Sequence, residues 1–213
     1  MEFERLLEIV GDEPVFKTGL LLAGNVKPTH VRRQLSRWVK TGRIYQLRRG
    51  LYALAPPYQK AKPHPFVVAN QLVRGSYVSL QSALAYYGLI PEYVPVMTNV
   101  TTSRPNRWET PLGNYEFHHI KPDMLFGYQL TDVGDRQRAF IASPEKALLD
   151  LIYLDAGADS IDYLRELRLQ NLDQLDLTAL SQYTDRADSP KLKRAVSIIS
   201  NLVGIEDDEY ETI

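Results

Sequence analysis

The stretch 42-GRIYQLRRGLYALA-55 reads as two short apolar strands folded about a corner of two arginines and a glycine. Arg43 to Leu47 forms the outgoing strand, Arg48-Arg49-Gly50 the turn, and Leu51 to Leu54 the return. Gly50 supplies the positive backbone angle that a tight corner requires. No acid lies near: from Pro14 to Pro91 there is no Asp or Glu, against twelve Lys and Arg. Two readings of the arginine pair stand side by side. The charges either keep an edge strand soluble, or they lie on a polyanion, where a guanidinium forks onto phosphate oxygens and favours a narrow, strongly negative minor groove.

Upstream of the hairpin the apolar residues follow helical spacing. Phe3, Leu6, Leu7 and Val10 predict a first helix that Gly11-Asp12 stops. Thr18 is a candidate cap for a short second helix, 19-GLLLAG, ended by Gly24-Asn25. A third helix is predicted from Pro28, with Val31, Leu35, Trp38 and Val39 as one buried stripe. Its opposite face carries Thr29, His30, Arg32, Arg33, Ser36, Arg37 and Lys40. Three helices followed by a hairpin within 60 residues is the layout of a winged helix-turn-helix. In that layout the exposed helix face reads base edges in the major groove and the hairpin tip lies over the backbone or minor groove. The expected interface is Thr29, His30, Arg32, Arg33, Arg37 and Lys40 on the helix with Arg48 and Arg49 on the wing. A core from Leu6, Leu7, Leu20, Val31, Leu35, Trp38 and Leu51 is expected to support it.

Charge divides the chain in the same place. Residues 1–62 carry 12 basic and 5 acidic side chains (+7), and residues 63–213 carry 13 and 21 (-8). This predicts a basic module that meets a polyanion, double-stranded DNA in the winged layout, and an acidic remainder with another task; chance clustering on a solvated surface is the alternative. The expected division is a DNA-binding unit over 1–55, a proline-rich linker over 56–65, and a C-terminal domain over 66–213. The whole is α+β. Helices are expected at Pro65 to Val73, Ser79 to Gly88, Ser143 onward, Ile161 to Leu167, Thr178 to Tyr183 and Pro190 to Leu202. Strands are expected at Val96 to Thr102, Tyr115 to Ile120, Phe126 to Leu130 and Arg138 to Ile141, with 103-SRPNRWETPLGN as a loop and the acidic tail 206-EDDEYE frayed.

Other chemistry is weakly signalled. Adjacent His118 and His119 on a strand face opposite ways and cannot chelate one ion. Glu145 suits a helix N-terminus, and Lys146 can pair with Asp150 at i, i+4. The tyrosines of 86-YYGL and 92-EYV suit core and hinge positions. No nuclease, phosphate-loop or nucleophile-elbow pattern is present, so no catalytic residue, metal or cofactor is expected. The chain has no cysteine and no apolar run near the ~18 residues of a membrane span, which suggests a cytoplasmic protein with no membrane contact.

The pattern through 37-RWVKTGRIYQLRRGLYAL resembles the AbiEi antitoxins of bacterial type IV toxin–antitoxin systems. The resemblance continues in 78-VSLQSALAYYGLI, 110-TPLGNYEFHHI, 142-ASPEKALLDLIY and, more faintly, 189-SPKLKRAVSIISNLVG. It implies a repressor of its own operon whose C-terminal domain opposes a toxin of the AbiEii nucleotidyltransferase type. Because one winged helix reads only a few base pairs, the operator is expected to consist of repeated half-sites. By position it puts the recognition face on Thr29, His30, Arg32, Arg33 and Arg37 and the wing tip on Arg48 and Arg49. The acidic tail departs from the family pattern. A stand-alone winged-helix regulator, or a nuclease with a DNA-binding N-terminal module, are the alternative functions.

Overall fold

The computed structural model describes residues 1–23 and 26–210, with side chains through Asn201. It is an α+β protein with two sheets. The N-terminal elements are α1 (Phe3–Val10), β1 (Phe16–Lys17), a 3-10 helix (Thr18–Leu22), α2 (Pro28–Lys40), β2 (Ile44–Arg48) and β3 (Leu51–Leu54). β1, β3 and β2 form an antiparallel sheet in that order. The expected cap at Thr18 is not one. Pairing of Phe16 with Tyr52 and Lys17 with Leu51 keeps the chain extended, and the Thr18 N–H goes to the Gly50 carbonyl at 3.0 Å. Thr18 therefore opens a 3-10 turn directly from the strand. The expected stop at Gly24-Asn25 lies outside the described residues.

The small sheet is buried on both faces. Side chains alternate along a strand, and β3 uses both sides. Tyr52 and Leu54 enter a cluster with Phe3, Leu6, Val31, Leu35 and Trp38. Leu51 and Ala53, with Leu47 and Val15, enter a second cluster built by the rest of the chain. Leu51 therefore does not serve the N-terminal core as expected, and Leu20 serves neither core, being 43% exposed. Leu47 follows Tyr45 by alternation into the second cluster, and a bulge between Gln46 and Arg48 shifts the register just before the corner.

The second unit comprises α3 (Pro65–Leu72), β4 (Ser76–Val78), α4 (Leu80–Tyr86), β5 (Val96–Thr101), β6 (Asn106–Thr110), β7 (Gly113–His119), β8 (Tyr128–Asp132), β9 (Arg138–Ala142), α5 (Pro144–Leu154), α6 (Ile161–Glu166), α7 (Leu177–Ala187) and α8 (Pro190–Tyr210). Its mixed sheet runs β6-β7-β5-β4-β9-β8. The segment expected as a loop at 103–114 contains β6, an edge strand whose Trp108 pairs with Tyr115. α8 continues through Tyr210, where a frayed tail was expected.

α5 is the hub, with every residue from Glu145 to Ile152 buried. Ser143 caps it by accepting from the Lys146 N–H. Lys146 and Asp150 do pair, but neither side chain reaches solvent. Asp150 also accepts from Tyr77 and Ser79, each at 2.8 Å. The ammonium lies 4.8 Å from the Phe126 ring centre. Burial pushes the Asp150 carboxyl up and the Lys146 ammonium down; their pairing opposes both shifts. Gly127, at φ +68, lets the bend before β8 pass over this pair, since a Cβ there would meet the Lys146 stem at 3.0 Å.

The stretch expected as a linker is fixed to the second unit. The side chain of buried Gln137 donates to the Lys62 carbonyl and accepts from the His64 N–H, both at 2.9 Å. Tyr58 packs edge-on against Phe3 at 4.9 Å.

Candidate nucleic-acid interface

α2 owes its position to three side chains. Val31, Leu35 and Trp38 bury one stripe, and at 3.6 residues per turn the other positions must face outward. Thr29, Arg33 and Arg37 stand in one i, i+4 row, with Ser36 and Lys40 beside it; all are exposed. Arg32 and His30, also exposed, flank the row on opposite sides. Among the described residues no acid pairs with Arg32, Arg33, Arg37 or Lys40. The helix N-terminus has no side-chain cap, so its backbone dipole adds to the positive field.

The two turn arginines differ. Arg49 is exposed and unpaired among the described residues. Arg48 is half-buried: its guanidinium donates to the Gln71 carbonyl at 3.3 Å and the Arg49 carbonyl at 3.4 Å, and its Nε is buried without a partner. Gln71 lies in the last turn of α3, where carbonyls lack intrahelical partners. Arg48 thus caps a helix of the second unit from the hairpin corner. Sequence spacing does not reveal this, because the partners are 23 residues apart. At the other end of β2, Arg43 lies over the Phe3 ring at 4.9 Å.

Elsewhere, His118 lies 3.7 Å from Glu116, while His119 approaches the Ser103 carbonyl at 3.1 Å. The two rings thus have separate partners. Tyr87 is half-buried and donates to the Ala142 carbonyl at 3.0 Å, but Tyr86 and Tyr93 are 42% and 89% exposed and neither is a core residue. Among the described residues no three His, Asp or Glu side chains converge as metal ligands, and no helix is long and apolar enough to cross a membrane. No protein-family model matches the chain, and no curated protein matches it.

Proposed function

We propose that this chain is a DNA-binding transcriptional regulator whose N-terminal unit acts as a winged helix-turn-helix. α2 enters the major groove, and the β2–β3 hairpin lies on the adjoining backbone or minor groove. The observation that carries this reading is the exposed, acid-free row of Arg33, Arg37 and Lys40 on the face of α2 opposite its buried stripe. Cations without protein partners are free to replace condensed counterions on phosphates, the main source of affinity for a duplex. Arg49 supplies the wing charge, while Arg48 sets the corner's position.

A single such unit reads only a few base pairs, too few to stand out among genomic competitors. We therefore propose that two copies bind repeated half-sites spaced by multiples of ~10 bp. The resemblance to AbiEi antitoxins adds the operon: the protein represses its own promoter, and its C-terminal unit counteracts a nucleotidyltransferase-type toxin. Footprinting on the DNA upstream of its own reading frame tests the first part. A repeated protected site supports it, and no protection above competitor DNA removes it. Co-expression with the neighbouring reading frame tests the second: rescue of growth supports an antitoxin, and unchanged growth arrest removes that role.

A further inference from the structure

A cleft of about 490 Å³ opens beside the hairpin corner, between the small sheet and the β8–β9 edge of the large one. Three cations from three elements line it: Lys17 of β1, Arg74 of the turn after α3, and Arg138 of β9. Among the described residues none of them pairs with an acid. Burial and the neighbouring charges of Arg74 and Arg48 hold the Lys17 ammonium below its usual range, so Lys17 lies in a field already positive. Arg48 covers the Gln71 carbonyl, an α3 C-terminal oxygen that would otherwise repel an anion here.

The remaining wall combines apolar and aromatic Val67, Tyr128, Leu130 and Phe140 with polar Asn70, Gln71 and Ser76. Phe140 and Leu130 are 43% and 49% exposed, and Tyr128 lies behind Phe140 with its ring stacked on Tyr77 at 4.5 Å. The wall is held in place, because Asn70 accepts from the Phe140 N–H at 2.6 Å. Cations on one side and an exposed ring on the other suit a ligand that is anionic at one end and flat or apolar at the other. The volume lies within the ~300–1,000 Å³ of small-ligand sites.

We propose that this cleft binds a phosphate ester of a nucleoside, with Lys17, Arg74 and Arg138 on the phosphate and Phe140 and Leu130 against the sugar or base. Two sources share that chemistry: the backbone of a duplex seated on the wing, and a free nucleotide. The first rests on the function proposed above; the second does not. Lys17 pairs with Leu51, the residue after the corner glycine, so a bound phosphate would sit beside the wing in either case.

The test uses the full chain, an Arg74→Gln/Arg138→Gln variant of the cleft, and an Arg33→Gln/Arg37→Gln variant of α2. All four positions are exposed, so equal melting temperatures are expected. Calorimetry with 2′-deoxyadenosine 5′-monophosphate forms one arm; anisotropy of a labelled duplex across a salt series forms the other. Nucleotide binding weakened about tenfold or more in the cleft variant alone, the loss expected from removing charge-assisted hydrogen bonds, assigns a free nucleotide. A duplex salt slope flattened by about 1–2 in the cleft variant, at ~0.9 per phosphate contact, assigns the DNA backbone. If the cleft variant matches the parent in both arms, the proposal is overturned. Should the α2 variant alone lose the duplex at the same time, the DNA reading still stands. Nucleotide binding that depends on the cleft, without duplex binding by the parent, keeps the cleft and removes the DNA reading.

Discussion

Arg48 at the hairpin corner donates to the main-chain carbonyl of Gln71 at 3.3 Å, so the candidate wing is tied to the last turn of α3. Among the described residues, its neighbour Arg49 makes no such bond. Adjacent identical residues therefore have separable effects. Arg48→Ala removes a charged donor from an orphan helix carbonyl and is expected to cost about 1–2 kcal/mol of stability by denaturant titration. Arg49→Ala should leave stability unchanged and flatten the salt dependence of DNA binding by about 0.9 in slope. Equal melting of parent and Arg48→Ala would show that the tie contributes nothing.

The buried ion pair gives a second contrast. Asp150→Ala strands the Lys146 ammonium and removes the acceptor of Tyr77 and Ser79. Breaking one side of such a pair costs about 3–5 kcal/mol. Lys146→Met with Asp150→Leu removes both charges and should be less destabilised than Asp150→Leu alone, as a double-mutant cycle completed by Lys146→Met will read directly.

His64 makes the protein sensitive to mild acid. Its Nδ1 accepts from the Phe66 N–H at 3.2 Å and so caps α3. Burial holds its pKa below the ordinary histidine value of 6.5, a shift that the Asp135 charge only partly opposes. The folded state prefers the neutral ring. The contribution is complete above about pH 6.5 and is lost as pH falls through the depressed folded pKa. His64→Asn keeps a capping acceptor and should remove this part of the pH dependence in thermal melts. A His64 proton resonance titrating above 6.5 would contradict the assignment.

Cutting the chain after Lys62 exposes Val15, Leu47, Leu51 and Ala53, which belong to the cluster built by the second unit. A fragment of residues 1–62 should therefore show no cooperative thermal transition by circular dichroism. A sharp transition would mean that the N-terminal cluster is sufficient alone.

Much of this arrangement is legible in the sequence, for physical reasons that also mark the limits. The exposed face of α2 follows from the spacing of Val31, Leu35 and Trp38, because a helix fixes the angles between its side chains. The return strand LYAL held a signal that strand alternation alone does not use: four apolar residues in a row suit a strand buried on both faces. That signal points to the shared sheet and against a free-standing module. β1 is two residues long and becomes a strand only through β3. β6 is polar because it lies at an edge. The Lys146–Asp150 spacing suggests a pair, but charged residues are rarely buried, and only Tyr77, Ser79 and Phe126 closing around them make burial tolerable.

The most direct measurement of the central claim is the affinity of the full chain for its own upstream DNA across a salt series, for the parent and for Arg33→Ala/Arg37→Ala. Tight, salt-sensitive binding by the parent is expected. The variant should keep the parent's melting temperature and lose about 1–3 kcal/mol per base-reading arginine, with a flatter slope. Identical binding by both proteins at every salt concentration, or no preference of the parent for upstream over unrelated DNA, would contradict it.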